Sequence, residues 1–300
     1  MTDYDAILLA GPTAGGKSRL ALELARKHNG VVINADSMQV YAELRVLSAR
    51  PSTDDEASVL HRLYGTVPAA TRYSVGAWLG DAAAVLRAAW EEGLMPIVVG
   101  GTGLYFKALT EGLAAVPPIP DEVRDRLRIE VEGLSSKELH ARLASVAPDD
   151  ARAVRPSDRA RIVRALEVFE ATGRSLARWQ EAEPLPPLID PDNIRRMVLT
   201  CERTVLHGRI GARAEEMVRG GGLAEAAAIG GLGLNSELPA MKAIGVRELL
   251  DHLAGNTSLD EAIAAMKTET RRYAKRQETW FRNQMGDWER PANSRDVSEP

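Results

Sequence analysis

One cysteine, Cys201, stands in 300 residues, which excludes a disulfide framework and any zinc site built on cysteines. Cys201 reads as a core residue. The five histidines are scattered and form no HExxH pair, so a zincin-type centre is excluded as well. No apolar run reaches the length that spans a bilayer, and no membrane partner is expected. The first strand begins near residue 6, leaving no room for a secretory leader, and the expected compartment is the cytosol. A net positive charge is missing too: 38 Lys and Arg stand against 42 Asp and Glu, a balance of −4 that argues against a general nucleic-acid coat protein. Internal repeats and low-complexity segments are absent.

What remains is a chain with 45% apolar residues, enough for a core in one large domain or two. Its basic residues are unevenly spread. Lys267 to Arg282 holds six of them against Glu269 and Glu278, and Arg152 to Glu181 holds seven arginines against four acids. Such patches on an acidic chain point to one defined polyanionic partner.

The most informative stretch is Gly11-Pro12-Thr13-Ala14-Gly15-Gly16-Lys17-Ser18. It follows the apolar run Ala6-Ile7-Leu8-Leu9-Ala10 and opens a helical pattern with Leu20, Leu22, Leu24 and Ala25. Glycine, four residues and then Gly-Lys-Ser is the P-loop pattern, in which backbone N–H groups and a helix N-terminus surround anionic oxygens. Lys17 adds a point charge, and Ser18 a hydroxyl ligand for Mg2+.

A second buried strand, Gly30 to Ala35, delivers Asp36-Ser37-Met38-Gln39 at its carboxyl end, the ligand side of a parallel sheet. A third, Pro96-Ile97-Val98-Val99, runs into Gly100-Gly101-Thr102-Gly103. This alternation of strands with helices, including one over 74–90, predicts a parallel α/β sheet flanked by helices. Proline-rich breaks at 116–120 and 184–191 bracket an all-helical insertion, with helices expected over 121–132, from a capping box at Ser135 to Glu138, and over 157–171 ending at Gly173. The expected domains are therefore 1–116 with 192–290 as a discontinuous core, 117–191 as the insertion, and 291–300 as a loose tail.

In the helical C-terminal part, a strand over 196–200 returns the chain to the sheet. A helix over 206–219 carries Arg209 and Arg213 one turn apart; residues 240–250 read as a short helix around Gly245. The last helix, 259 to about 284, places Lys267, Arg271 and Lys275 at i, i+4 spacing with Tyr273, Trp280 and Phe281 interleaved. That stripe fits an RNA backbone with stacked bases, and equally a solvated face beside core aromatics. Asp36 fits a reactive carboxylate or a helix N-cap, and Thr102 a site hydroxyl or a turn hydroxyl.

A P-loop usually serves ATP or GTP. Here no apolar strand ends in an obvious Walker B acid, and nothing marks a base-specific loop. The loop can equally hold diphosphate as a leaving group.

Taken together, 11–18, Asn34 to Tyr41, Ala49-Arg50-Pro51, Gly100 to Tyr105, Arg164 to Val168, Lys242 to Gly245 and Arg271 to Gln277 with Trp280-Phe281-Arg282 resemble the tRNA dimethylallyltransferase family. The blocks run in family order and cover nearly the whole chain. The resemblance implies a P-loop NTPase-like core and transfer of a dimethylallyl group from dimethylallyl diphosphate to N6 of adenosine 37, in tRNAs reading codons that begin with U. It implies Asp36 as the base, with Thr102 near the reacting centre. Gly11 to Ser18 would cradle the diphosphate, Mg2+ sitting on Ser18, and Lys17 with Arg209 or Arg213 would receive the leaving group's charge. The tRNA anticodon arm would meet Asp36, Ser37, Met38, Gln39, Thr102, Arg124 and Ala160-Arg161-Ile162-Val163-Arg164, with Lys267, Arg271 and Lys275 on the last helix. A monomer is the default. Gly15 and Ala42 depart from the Ser and Arg common in the family, and no C-terminal zinc finger follows, as expected of a bacterial-type enzyme. The competing readings are an adenylate isopentenyltransferase acting on free nucleotide, a P-loop small-molecule kinase, and a non-catalytic RNA-binding NTPase.

Overall fold

Strand β1 (Ala6–Ala10) is buried at every residue, and that defines the centre of the molecule. The structure, a computed structural model, describes residues 4–182 and 184–291. Strands β2 (Gly30–Asn34), β3 (His61–Arg62), β4 (Met95–Gly100) and β5 (Ile194–Val198) complete an all-parallel sheet of order β3-β2-β4-β1-β5. Parallel strands covered on both faces carry continuous apolar runs, which is how β1 and β4 read. Their register pairs Ile7 with Ile97 and Leu9 with Val99. One face is covered by helix α1 (Lys17–Lys27), whose Leu20, Leu24 and Ala25 pack on Ile7, Leu9 and Ile97. Helices α2 (Thr53–Ser58), α3 (Val75–Glu91) and α4 (Gly103–Glu111) follow. Trp78 of α3 stacks on Tyr105 of α4 at 4.3 Å and donates its indole N–H to Asn34 O at 2.8 Å.

The chain forms two compact units, residues up to Thr110 with those from Leu188, and Glu111–Pro187. The second unit is helical: α5 (Asp121–Val131), α6 (Ser136–Val146), α7 (Pro148–Ala153), α8 (Arg159–Thr172) and α9 (Leu176–Glu181). Its core joins Leu127, Leu139, Leu143, Ile162 and Leu166. Ser135 and Glu138 cap α6 reciprocally, and Gly173, at φ 68°, ends α8.

The first unit resumes with β5, which starts at Ile194, two residues before the expected strand. The paired arginines Arg195 and Arg196 obscure it in the sequence; on this edge strand they reach out to Glu289 and Asp287 at 3.0 and 3.2 Å. Helix α10 (Arg203–Met217) then runs into a wide turn at Val218–Gly222, where Gly221 takes φ 107°, and α11 (Leu223–Gly231) follows as a helix not anticipated above. The helix expected over 240–250 is broken. A 3-10 turn, Pro239–Lys242, is separated from α12 (Val246–Leu253) by Gly245 at φ 102°. The last helix, α13 (Leu259–Gln284), begins at a Ser258/Glu261 capping box. Pro291 O accepts from Thr200 N at 3.2 Å, and the rest of the expected loose tail, 292–300, lies outside the described residues. Among those residues, no helix is long and apolar enough to cross a membrane.

Candidate active site

Strand order alone brings the three informative turns together. β2, β4 and β1 are neighbours, so Asp36, Thr102 and the Gly11–Ser18 loop emerge side by side at one sheet edge. Gly100 is required for this closeness, because a Cβ there would lie 2.0 Å from Ala35 O. The P-loop closes with Gly15 N donating to Pro12 O at 3.1 Å, and Gly16, at φ 96°, turns the chain into α1. No side chain caps α1, so its first N–H groups remain free for an anion. Lys17 Nζ donates to Pro12 O at 2.7 Å, folded over the loop it would share with a ligand.

Asn34, fully buried at the end of β2, shapes the next turn: its Oδ1 accepts from Asp36 N at 2.8 Å and its Nδ2 donates to Asp36 O at 3.0 Å. Asp36 Oδ1 accepts from Met38 N at 2.9 Å. No helix starts there, so Asp36 closes a turn and caps no helix. Thr102 Oγ1 accepts from Ser37 N at 2.9 Å and donates to Ser37 Oγ at 3.3 Å, tying β4 to the Asp36 turn. Gln39 Nε2 donates to both Ser48 O and Ala49 O at 2.9 Å.

The electrostatics follow from crowding. Burial pulls Lys17 down from 10.5 to about 8; Asp36 opposes that fall and Arg213 adds to it. Burial pushes the Asp36 carboxyl above its ordinary value, against the pull of Met38 N–H and Lys17. Arg213 is lowered by burial. Tyr273, bonded to Thr102 and Gln277, is held up by burial and by the Asp36 charge. The site thus destabilises charge on both Lys17 and Asp36, as expected where groups exchange protons or receive a charged ligand.

Two cavities meet here. One of about 220 Å³ is lined by Thr13 to Arg19 with Asp36, Gln39 and Arg213. The other, of about 250 Å³, is more apolar, with Leu47, Ile210, Met217, Ile244 and Met266 on its walls. Thr13, Asp36, Ser48, Ala49 and Arg213 line both. Of Arg209 and Arg213 on α10, Arg213 reaches this junction, whereas Arg209 sits beside Gly16 and points an N–H at Cys201 Sγ, 3.6 Å away. Cys201 is half-buried against Ala14, Leu206, Ile210 and Ala274. Gln277 is the participant that sequence reasoning missed. Its carboxamide accepts from Thr13 N and donates to Gly101 O. A lone amide inside a basic stripe carries no signal of that role.

The stripe on α13 divides. Lys267 is ion-paired to Glu215 at 2.6 Å. Arg271 and Lys275 instead line a groove of about 430 Å³ with Arg203, His207, Arg272 and Arg282. Arg203, Arg271, Lys275 and Arg282 make no ion pair among the described residues. Phe281 belongs to the core.

In the helical unit, Arg124 has a buried Nε without a partner. Arg161 and Arg164 make helical ion pairs with Asp158 and Glu167 at 3.4 Å. Ala160 is exposed and Val163 half-buried, but Ile162 is wholly buried in that unit's core, so its side chain is closed to a ligand.

Among the described residues no group of three or more His, Cys, Asp or Glu could hold a metal. Ser18, exposed at the start of α1, offers a single hydroxyl. That fits a hard cation brought in by phosphate oxygens, since Mg2+ typically takes few protein ligands.

The sequence profile of IPP transferase matches residues 39–284, and that of Isopentenyl transferase matches 4–68. The chain is 53% identical over 284 residues to a tRNA dimethylallyltransferase of Nitrobacter hamburgensis, covering 95% of this chain and 89% of the relative. It is 52% identical over 289 residues to that of Agrobacterium fabrum, covering 96% and 97%. A crystal structure of the full-length tRNA isopentenylpyrophosphate transferase from Bacillus halodurans matches with TM-score 0.68 at 33% identity, over 96% of this chain and 89% of that one. A eukaryotic dimethylallyltransferase acting on tRNA matches with TM-score 0.80 at 26% identity, over 98% and 75%.

Proposed function

The chain belongs to the IPP transferase family, the tRNA dimethylallyltransferases, and from that premise we propose that it transfers a dimethylallyl group from dimethylallyl diphosphate to N6 of adenosine 37, in tRNAs reading codons that begin with U. The observation that carries this reading is the junction of a phosphate cradle and an apolar cavity at Asp36 and Arg213. An allylic diphosphate needs both ends.

An exocyclic adenine amine is a poor nucleophile because its lone pair is delocalised into the ring. The Asp36 carboxylate takes one N6 proton as N6 bonds to the allylic carbon, and its raised affinity for a proton suits that task. The C–O bond breaks on the far side and its electron pair leaves with the diphosphate. Lys17, the loop N–H groups and Arg213 stabilise that charge, and a bound diphosphate in turn restores the protonated form of Lys17. Thr102 and Asn34 hold the Asp36 turn in place. Mg2+, when held by Ser18 and the diphosphate, supplies Lewis-acid stabilisation of the leaving group.

The acceptor base is flipped out of the anticodon loop to reach the cleft. Ser37, Met38, Gln39 and the α13 stripe are the proposed tRNA contacts of the first unit; Arg124, Ala160, Arg161, Val163 and Arg164 are those proposed for the helical unit, with 117–191 as the tRNA-contacting insertion. The proposed compartment is the cytosol and the proposed working unit a monomer.

The test incubates the protein with Mg2+, labelled dimethylallyl diphosphate and unmodified tRNA bearing A36-A37. Label in the RNA at A37 is expected. Label appearing in added AMP or ADP and none in RNA would transfer the case to a free-nucleotide acceptor.

A further inference from the structure

The segment 45–49 forms one wall of both cavities, through Leu47 in the apolar one and Ser48 and Ala49 in both, yet it belongs to no helix or strand. An irregular wall needs its backbone groups satisfied from elsewhere. Gln39 does this from one side, through the carbonyls of Ser48 and Ala49. From the other side a single carboxylate does it: Glu225 Oε2 accepts from Arg45 N at 2.8 Å and Val46 N at 2.7 Å, and Oε1 from Leu47 N at 2.8 Å. Three consecutive N–H groups converging on one anion make a nest, and charge-assisted bonds of this length are the strong ones.

Glu225 stands in the first turn of α11, just past the wide turn at Gly221 that redirects the chain after α10. That α10 carries Arg213 and Met217, which line the apolar cavity together with 47–49. The contact is close-fitted around Leu47 as well: a Cβ on Gly222 or on Gly245 would come within 3.0 Å of Leu47 Cδ2. We propose that Glu225 is a positioning residue of the donor site, fixing the 45–49 wall relative to Arg213 and so setting the width of the cleft that receives the allylic diphosphate. The inference rests on the donor assignment made above. Glu225 itself lines neither cavity; it acts through Leu47, Ser48 and Ala49.

Glu225→Gln keeps one acceptor oxygen but turns an NH2 toward N–H donors, and Glu225→Ala removes all three bonds. The expected result is a KM for dimethylallyl diphosphate raised about tenfold in Glu225→Gln and further in Glu225→Ala, with Kd for tRNA within about twofold of wild type. Calorimetric binding of inorganic diphosphate should weaken in the same order. Leu86→Ala, at a core leucine of α3 lining neither cavity, serves as a control for lost stability and should leave the donor KM unchanged. Equal weakening toward donor and tRNA, or a lowered melting temperature with donor KM and diphosphate binding unmoved, would overturn the positioning role. Wild-type protein that binds diphosphate but prenylates nothing would overturn the assigned reaction instead, and the diphosphate series would still decide the role of Glu225.

Discussion

The carboxamide of Gln277 spans the two glycine turns of the site: its oxygen accepts from Thr13 N at 2.9 Å, and its nitrogen donates to Gly101 O at 2.9 Å. Through one buried side chain, α13 fixes the spacing between the phosphate loop and the Thr102 turn. Gln277→Leu leaves both backbone groups unpaired, and each such group costs roughly 1–3 kcal/mol when buried. A loss of roughly 2–6 kcal/mol in urea unfolding is expected, with kcat reduced even where the variant remains folded. Gln277→Glu keeps the acceptor for Thr13 N but sets a buried carboxylate oxygen against Gly101 O, so at neutral pH its loss should be at least as large as that of Gln277→Leu.

Lys17 gives a pH-dependent prediction. Its folded value of about 8 lies below the 10.5 of the free side chain, so the protein without ligand is destabilised wherever Lys17 must be protonated. The contribution from neutral Lys17 is complete above 10.5 and is lost as pH falls through about 8. Lys17→Met should therefore stabilise the unliganded protein at pH 7, by at most about 3 kcal/mol, and the advantage should vanish by pH 11. Chemical denaturation across pH 6–11 measures it. The same variant should lose diphosphate binding and turnover.

Asp36 moves the other way. Burial raises its carboxyl, so the acid limb of kcat/KM should lie above the ordinary carboxylate range and disappear in Asp36→Asn, whose residual rate should be flat on the acid side. A raised folded value also means that stability present below the ordinary carboxylate value is lost as pH rises through the folded one. Asp36→Asn should then be at least as stable as wild type at neutral pH. A variant that unfolds would show that the turn needs the charged acceptor for Met38 N.

The parts of the site that were legible in the sequence are those where backbone chemistry dictates residue type. Gly16 at positive φ, Gly100 against Ala35 O, and apolar runs in strands covered on both faces leave visible patterns. The α13 helix was legible because a capping box opens it and its pattern persists over 26 residues. The illegible parts are those where a tertiary contact overrides local preference. Leu223–Gly231 is hidden for another reason: Leu-Ala-Glu-Ala-Ala-Ala is a run of strong helix formers, but three glycines before it, Gly230-Gly231 at its end and the lack of a polar/apolar alternation mask the pattern. Gly245 lies inside a run of good helix formers yet breaks it by taking φ 102°, and Leu47 and Met266 occupy the space a side chain would need. The site roles of Gln277 and Glu225 exist only in three dimensions.

The basic groove between α10 and α13 yields a graded prediction, because its cations differ in what already neutralises them. Lys267 is paired with Glu215, whereas Arg203, Arg271, Lys275 and Arg282 face the groove without a carboxylate partner among the described residues. An unpaired cation that meets a phosphate releases a condensed counterion, and each such contact adds about 0.7–0.9 to the slope of log K against log salt. Arg271→Ala and Lys275→Ala should each flatten the salt dependence of tRNA binding by about one contact, and Arg203→Ala and Arg282→Ala should do so wherever the backbone extends along the groove. Lys267→Ala should change the slope least, since its charge is already spent on α10. Filter binding from 50 to 200 mM salt distinguishes the five. Equal slopes for all of them would make the groove a solvated face and leave RNA recognition to the loops beside Asp36 and to the helical unit.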